Sequence, residues 1–233
     1  MPEKHSTFWQ DTLLVASHIL LSLILFSVAI GILVFLVRGK LRKYKPRDMA
    51  VFNALTRWTS PAMNRIMLFI TLLGKHQFLI PANLLLIAYF LFVRHYTWFS
   101  IRVVAIGLSS TALMFLLKSL FKRKRPLEPL LHAVRGLSFP SGHAIIAVTF
   151  YGLIIYIIDH TIDINWIRVT LTALLVILIL LIGFSRVYLR VHYASDVLAG
   201  FIIGLLWLYI SLFVLGRVEE LILARDVGVT FNV

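Results

Sequence analysis

The sequence predicts an all-α protein, a polytopic bundle of about six transmembrane helices with one amphipathic helix at the membrane interface. Of the 233 residues, 60% are hydrophobic and the mean hydropathy is +0.93, whereas a soluble domain has about 45–50% apolar residues. The excess lies in long runs, and about 20 apolar residues are enough to cross a bilayer as a helix. Lipid favours helices because their backbone groups bond internally. The length predicts a single domain, 1–233.

The predicted elements follow from the order of apolar and polar segments. Residues 38–47 (RGKLRKYKPR) are basic and contain a proline, so they predict a loop. Residues 48–74 mix apolar side chains with arginine and asparagine, which predicts an amphipathic interfacial helix followed by a short apolar stretch. Residues 122–139 are polar, contain two prolines and predict another loop. The apolar runs predict the six spans, which are 12–37, 76–93, 99–121, 144–158, 166–184 and 197–215.

The net charge of +13 indicates an anionic partner, either a lipid phosphate or a nucleic acid. The cations lie between apolar runs, so we predict contact with membrane lipids and a lipid phosphate substrate. No nucleic acid and no obligate protein partner is expected. The sequence has no cysteine, which excludes disulfides and thiolate metal sites. The first residues lack the basic start of a signal peptide, so the first apolar run is expected to remain as a helix.

Three polar clusters adjoin the predicted spans: 118–126 (KSLFKRKRP), 140–143 (PSGH) and 185–196 (SRVYLRVHYASD). The first ends span three, the second begins span four and the third joins spans five and six. Because consecutive spans cross in opposite directions, all three clusters face the same side of the membrane. Ionisable residues beside spans are costly and indicate function. The sequence therefore predicts one pocket formed by the three clusters.

The cations of these clusters favour a phosphate ligand. Lys118, Arg125 and Arg186 supply positive charge, and the planar arginine fork matches phosphate oxygens. Ser141 and Gly142 open a helix whose free N–H groups and dipole favour an anion. Glycine also lets the backbone approach a ligand closely because it has no Cβ.

Two histidines and an aspartate add the chemistry of phosphoryl transfer. A histidine nucleophile needs a neutral imidazole whose second nitrogen is held by an acceptor. Asp196 follows His192 by four residues, so the two share a face if that segment is helical. His143 is then available to protonate the leaving alkoxide.

The clusters resemble the signature of the type 2 phosphatidic acid phosphatase (PAP2) superfamily, in its membrane lipid phosphatase branch. That signature is Lys, six residues, Arg-Pro; then Pro-Ser-Gly-His; then Ser-Arg, five residues, His, three residues, Asp. Every position is matched here, by Lys118, Arg125-Pro126, residues 140–143, Ser185-Arg186, His192 and Asp196. Vanadium haloperoxidases have a similar signature but are soluble, so the composition argues against them.

The resemblance implies a role for each matched residue. His192 attacks phosphorus and carries a phosphohistidine, Asp196 orients it, and His143 protonates the leaving group. The resemblance also implies catalysis without a metal or other cofactor, and no carboxylate cluster in the sequence suits Mg²⁺. The residues implied to bind the phosphate oxygens are Lys118, Arg125, Ser141, Gly142 and Arg186.

The lipid and the acceptor of the phosphoryl group stay open at this point. A phosphatase passes the group to water, whereas a phosphotransferase passes it to a second lipid with the same residues. A non-catalytic lipid-binding protein that kept the pocket is a third, less favoured possibility. The substrate classes considered are phosphatidylglycerophosphate, phosphatidate, polyprenyl pyrophosphate and a lipid A phosphate.

Residues beside the clusters have weaker interpretations. The basic side chains of 122–124 are interpreted as a lipid-facing cluster. Tyr188 and Arg190 fit a structural role and a substrate contact equally well. Gly200 and Gly204 form a small-xxx-small pair that predicts helix packing. Two further candidates for headgroup contact precede the second cluster, His132 and Arg135.

Two arguments disagree on the side of the membrane that the pocket faces. Cytoplasmic loops carry an excess of lysine and arginine, and the basic segment 38–47 on the pocket side favours a cytoplasmic pocket. A crossing by residues 62–74 would reverse this, but thirteen residues at a rise of about 1.5 Å each are short for a span. The resemblance to bacterial-type lipid phosphatases implies an extracytoplasmic site. The substrate requires some of the other cations on the pocket side, such as Arg125 and Arg186, but not those of 38–47. On the resemblance, we expect a cell-membrane protein with its site on the extracytoplasmic side.

Overall fold

A computed structural model of the chain describes residues 3–126, 129–130 and 136–227, with side chains in 13–28, 30–32, 46–126, 129–130 and 136–223. These residues form helices, turns and loops, and no strand occurs among them. Helix α3 continues into a π-helical turn, Tyr89–Val93. The α-helices are α1 (Glu3–Thr56), α2 (Pro61–Leu72), α3 (His76–Ala88), α4 (Thr97–Phe121), α5 (Gly142–Thr161), α6 (Asn165–Tyr188) and α7 (Ala194–Val227).

The predicted fold class is confirmed. Within the described residues, six helical stretches are long and apolar enough to cross a membrane: Leu13–Ile32, His76–Val93, Thr97–Phe121, Gly142–Thr161, Asn165–Tyr188 and Ala194–Leu223. Large apolar side chains stand on their outer faces; Phe92 is 75% exposed and Leu85 is 71% exposed. Such faces suit lipid, because soluble proteins rarely leave wide apolar patches in water.

The chain divides into two compact units, residues 37–208 and residues 1–36 with 209–233. The polar clusters all belong to the first unit, and the packing described here lies within it. Its central helix is α5, which packs against both α4 and α6, while α2 packs against α6 and α3 against α4. The first turns of α5 are fully buried at Ala144, Ile145 and Ala147. The PSGH segment therefore enters the bundle core directly.

One predicted loop was wrong. Residues 38–47 are not a loop, since α1 continues through them and through Pro46 to Thr56. Arginine, lysine and leucine are strong helix formers, and their propensity outweighs the single proline. The helix and the short apolar stretch predicted for residues 48–74 correspond to the last turns of α1, a turn between Thr56 and Pro61, and α2. Ser60 caps α2 by accepting a hydrogen bond from the N–H of Met63 (3.2 Å), and Pro61 occupies the first turn, which is where proline is tolerated.

The glycine pair of α7 has a packing role, as predicted. A Cβ at Gly200 would lie 2.8 Å from the Cβ of Ala144 and 2.9 Å from the carbonyl oxygen of Ser141. A Cβ at Gly204 would lie 2.9 Å from the Cβ of Val148. The small residues thus let the first turns of α7 approach the backbone of α5, which is the arrangement that small-xxx-small pairs provide in membranes.

We expect Gly200→Ala to lower the free energy of unfolding by about 1–3 kcal/mol, because the added methyl group overlaps backbone as well as a side chain. The measurement is thermal unfolding in detergent. Gly216→Ala is the matched control on the same helix, since a Cβ there meets nothing within 4 Å among the described residues. Equal midpoints for the two variants would contradict close packing at Gly200.

Candidate active site

The first cluster begins at Lys118, in the last turn of α4. Its Nζ donates to the carbonyl oxygens of Leu137 (2.9 Å) and Pro140 (3.1 Å). Lysine has three donors, so one remains for a ligand. The lysine thereby connects α4 to the segment that leads into α5, and it fixes the position of PSGH relative to the first cluster.

The second cluster forms the N-terminus of α5. Ser141 is the N-cap, and its N–H donates to the carbonyl oxygen of Asp196 (3.0 Å). A Cβ at Gly142 would lie 2.3 Å from the Sδ of Met114, so this glycine is required for the close approach of α4 and α5. That is a packing reason beside the predicted one, and phosphate binding by its N–H stays a prediction.

The third cluster places His192 in the turn between α6 and α7, not on a helix. The prediction that His192 and Asp196 share a helical face was therefore wrong, because α7 begins at Ala194. Their contact comes from a cap. The Oδ2 of Asp196 accepts the N–H of Tyr193 (2.9 Å), which is the reach-back bond of a capping box, and lies 3.6 Å from the Nδ1 of His192. Ser138 donates its hydroxyl to the same oxygen.

Two arginines approach the histidines from different elements. The Nη1 of Arg125 donates to the carbonyl oxygen of Val191 (2.9 Å) and lies 3.2 Å from the Nε2 of His192. Arg186 is buried in the last turn of α6, and its Nη1 donates to the hydroxyl of Thr71 on α2 (2.6 Å). Each guanidinium is thus anchored at one end and keeps other donors for a ligand.

A cleft of about 890 Å³ connects these groups. Of the eight predicted site residues, five line it and three lie beside it within the described structure. Asp196, Ser141 and Arg186 are the three beside it, and all are buried. The five that line it are Lys118, Arg125, Gly142, His143 and His192. Away from them the cleft is mainly apolar, with walls from α3 and α4 such as Leu84 and Val104.

Several buried polar atoms at this end of the cleft have no hydrogen-bond partner within the described part of the chain. They are Arg125 Nε, Ser141 Oγ, His143 Nε2 and Arg186 Nε; a fifth, His192 Nδ1, faces the carboxylate of Asp196 at 3.6 Å. Buried polar groups are nearly always paired, so a group of unpaired ones indicates a ligand site. The excess of donors fits a multiply charged anion.

Burial also determines whether the imidazole of His192 is charged. Burial lowers the pKa of His192 to about 4, the contact with Asp196 opposes this shift, and the charge of Arg125 adds to it. Burial likewise lowers the pKa of Arg125. His192 is therefore a neutral imidazole at physiological pH, which is the form that can attack phosphorus.

Some site residues escaped the sequence analysis. The interpretation of Arg123 as lipid-facing was wrong: its guanidinium bonds both Asp196 and Asp48, and only the exposed Lys122 and Lys124 fit that interpretation. Nothing in the sequence marked Asp48 or Thr71 as part of the site. Asp48 is a single acidic residue after a basic segment, and Thr71 is a single hydroxyl within an apolar segment.

Tyr188 and Arg190, which the sequence left between a structural role and a substrate contact, both donate hydrogen bonds to other side chains. Tyr188 is structural, since its hydroxyl donates to the Oδ1 of Asn64 (2.9 Å) and the ring is buried. Arg190 donates to the hydroxyl of Thr56 (2.6 Å). His132 and Arg135 lie outside the described residues. Within the described part of the chain, no three histidine, aspartate or glutamate side chains are grouped in a way that could hold a metal.

Comparisons with known proteins agree with this architecture. The family model described as the PAP2 superfamily matches residues 98–218. Phosphatidylglycerophosphatase B of Bacillus subtilis (strain 168) is 33% identical over 165 residues, which cover 70% of this chain and 80% of that protein. The crystal structure of a transmembrane PAP2-type phosphatidylglycerolphosphate phosphatase from Bacillus subtilis aligns with a TM-score of 0.71 at 29% identity, over 83% of this chain and 96% of that one. Aquifex aeolicus LpxE aligns with a TM-score of 0.57 at 27% identity, over 70% of this chain and 93% of that one.

Proposed function

The chain belongs to the PAP2 superfamily of membrane phosphatases, and on that premise we propose that it hydrolyses a lipid phosphomonoester or pyrophosphate through a phosphohistidine intermediate. The observation that carries the proposal is the cleft itself. At one end two histidines and two cations converge, His143, His192, Lys118 and Arg125, and the rest of the cleft is mainly apolar. A phosphate joined to a hydrocarbon chain has this polarity.

The proposed first step is attack on phosphorus by the Nε2 of His192. With the Nδ1 proton directed to Asp196, the lone pair of His192 is on Nε2, where it accepts from the Nη1 of Arg125 at 3.2 Å. It becomes free to attack when Arg125 donates to the phosphate instead. The bond from phosphorus to the lipid oxygen breaks, and His143 gives its proton to that oxygen.

The second step returns the enzyme to its starting state. Water attacks the phosphohistidine and gives a proton to His143, and inorganic phosphate leaves. Charge develops on the phosphoryl oxygens in both steps, so fixed cations stabilise both transition states. The groups assigned to these oxygens are Lys118, Arg125, Arg186, the unpaired Oγ of Ser141 and the N–H of Gly142.

The relatives direct the choice of lipid. The curated relative and the solved structure from Bacillus subtilis are both named as phosphatidylglycerophosphate phosphatases, so we propose phosphatidylglycerophosphate as the first substrate to test. The apolar walls of the cleft, among them Leu79, Ile87 and Ile106, are long enough to contact an acyl or prenyl chain while the phosphate lies at the histidines.

The test is phosphate release by the purified protein in detergent with EDTA present. The panel holds phosphatidylglycerophosphate, phosphatidate, a polyprenyl pyrophosphate and a lipid A phosphate. EDTA-resistant release into water supports the hydrolase, and the lipid with the highest kcat/KM identifies the substrate class. If the phosphoryl group leaves the substrate only when a second lipid is present to accept it, the protein is a phosphotransferase and not a hydrolase. If no reaction occurs with or without such an acceptor, the interpretation that remains is a non-catalytic lipid-binding protein.

We also propose that the site faces the extracytoplasmic side. Asp48 near the end of α1 contacts Ser195 and His76 at the start of α3 lines the cleft, so we infer that α2 does not cross and that the basic segment 38–47 stays on the site side. The proposal therefore rests on the resemblance to bacterial-type lipid phosphatases and not on the count of cations. The cations that argue for a cytoplasmic site include Lys118, Arg125 and Arg186, which the substrate requires. A reporter fused after α7 tests this: six spans place it opposite the site, so activity in the cytoplasm supports the proposal and activity outside contradicts it.

We expect the acid limb of the kcat/KM profile to lie near pH 4 instead of near the ordinary histidine pKa of 6.5. Because burial disfavours the charged imidazole, His192 stays neutral and reactive as the pH falls, until protonation near pH 4 removes the nucleophile. The measurement is a pH profile, with the ionisation of the lipid phosphate determined separately by ³¹P NMR. An enzyme limb that stays near pH 6.5 after this correction would contradict a buried neutral nucleophile.

A further inference from the structure

Arg123 lies between two buried carboxylates. Its Nη2 is 2.8 Å from the Oδ2 of Asp48, and its Nη1 is 2.5 Å from the Oδ1 of Asp196. Both carboxylates are almost fully buried. The guanidinium also lies over the ring of Tyr193, 4.0 Å from its centroid. Two buried carboxylates need a counter-charge, and this arginine supplies it to both at once.

Asp48 connects the end of α1 to the start of α7. Its Oδ1 accepts the N–H of Ser195 (3.1 Å) and its Oδ2 accepts the hydroxyl of the same residue (2.8 Å). The first N–H groups of a helix lack internal partners, and the helix dipole favours a carboxylate there. Asp48 therefore fixes the residue that precedes Asp196, while Arg123 fixes the Asp196 carboxylate itself.

The position of Arg123 separates it from the phosphate-binding cations. Among the described residues, Lys118 and Arg125 line the cleft but Arg123 does not. Its Nη1 also donates to the hydroxyl of Ser195 (2.8 Å), so both ends of the guanidinium are bonded to protein. Arg123 thus has no access to a substrate in the cleft, although it stands two residues from Arg125.

We propose that Arg123 and Asp48 are positioning residues that hold the Asp196 carboxylate against the imidazole of His192; this rests on the proposed function of the site. The arrangement, the Asp48–Arg123–Asp196 bridge, places one oxygen of Asp196 on Arg123 and the other near the Nδ1 of His192. Groups that orient a ligating or reacting histidine in this way change activity without touching substrate.

The test compares Arg123→Gln, Arg123→Lys, Asp48→Asn and the double variant Asp48→Asn/Arg123→Gln in phosphate release from the lipid that the wild type hydrolyses. We expect Arg123→Gln to lower kcat by about 10- to 100-fold, with KM and inhibition by inorganic phosphate close to wild type. Arg123→Lys keeps the charge and should recover part of kcat. The double variant should be no slower than Arg123→Gln, because the pair acts as a unit.

Two control variants separate a positioning role of Arg123 from a general loss of positive charge and from a substrate contact. Lys124→Gln removes an exposed cation next to Arg123 and is expected to leave kcat unchanged. Arg125→Gln should instead raise KM and weaken inhibition by phosphate. A folded Arg123→Gln enzyme with wild-type kcat would overturn the proposal, and so would a rise in KM at constant kcat, which would make Arg123 a substrate contact.

A second readout does not depend on turnover. The bridge predicts that the unfolding midpoints of Asp48→Asn, Arg123→Gln and the double variant are coupled and not additive. Asp48→Asn keeps the shape of the side chain, so it tests the bridge even if Arg123→Gln does not fold. If the wild type releases no phosphate from any lipid, the proposed function fails, and additive midpoints would separately refute the bridge.

Discussion

Replacement of His192 by alanine is expected to lower kcat for phosphate release by at least about 10⁴-fold, because the variant has no atom that can accept the phosphoryl group. Removal of an orienting or phosphate-binding residue leaves the attack possible, whereas this change leaves only the background reaction. The measurement is initial-rate release of phosphate in detergent with EDTA. Alkaline quenching of the wild type during turnover should also trap a phosphohistidine that the variant lacks.

The control for this prediction is His160→Ala, which removes an exposed histidine from the far end of α5. It should keep wild-type kcat. Because the His192 side chain is buried, the alanine variant must also be shown to be folded, by its unfolding midpoint and elution volume. A folded His192→Ala protein with kcat near wild type would remove His192 as the nucleophile and direct attention to His143.

The convergence of the site was predictable because it depends on the number of spans and not on their boundaries. An even number of crossings between Lys118 and Asp196 brings the clusters to one face even if each helix end is misplaced by several residues. The start of α7 at Ala194 instead of 197 shows this. The earlier start places Asp196 on α7, while His192 lies in the turn before it. The two side chains are in contact all the same.

The supporting residues were not predictable, since their roles come from folded geometry. Lys122, Arg123 and Lys124 have the same chemical character in the sequence. The structure separates them because Lys122 ends α4 with a left-handed backbone (φ 49°), after which Arg123 turns inward and its carbonyl oxygen accepts the N–H of Ser138 (2.7 Å). Asp48 lies about 150 residues before the helix that it caps, and no local pattern records so distant a partner.

Residues 38–47 were predicted as a loop because their local composition does not record that α1 continues through them. A cluster of cations and a proline are typical of a loop, but neither prevents a helix whose remaining residues favour it. The continuation of α1 has a consequence for the site, since it carries Asp48 on a rigid element. A side chain on a helix is held more firmly than one on a loop, which suits a residue that must position another.

His143→Gln is expected to produce a second large loss, of about 10²–10⁴-fold in kcat, when the leaving group is a lipid alcohol. An alkoxide is a poor leaving group unless it is protonated as it departs, and His143 lines the cleft together with His192. Glutamine keeps a polar group of similar size but has no proton to transfer.

A change of leaving group isolates this role from phosphate binding. With p-nitrophenyl phosphate the departing nitrophenolate needs no proton, so the first step should slow by less than about tenfold in His143→Gln. His192→Ala should be inactive with both substrates. The discriminating measurement is the rate of nitrophenolate release under single-turnover conditions, which reports the first step whatever the rate at which water attacks the phosphohistidine. Equal losses with the lipid and the activated ester would show that His143 contributes charge to the phosphate site and not a proton to the leaving group.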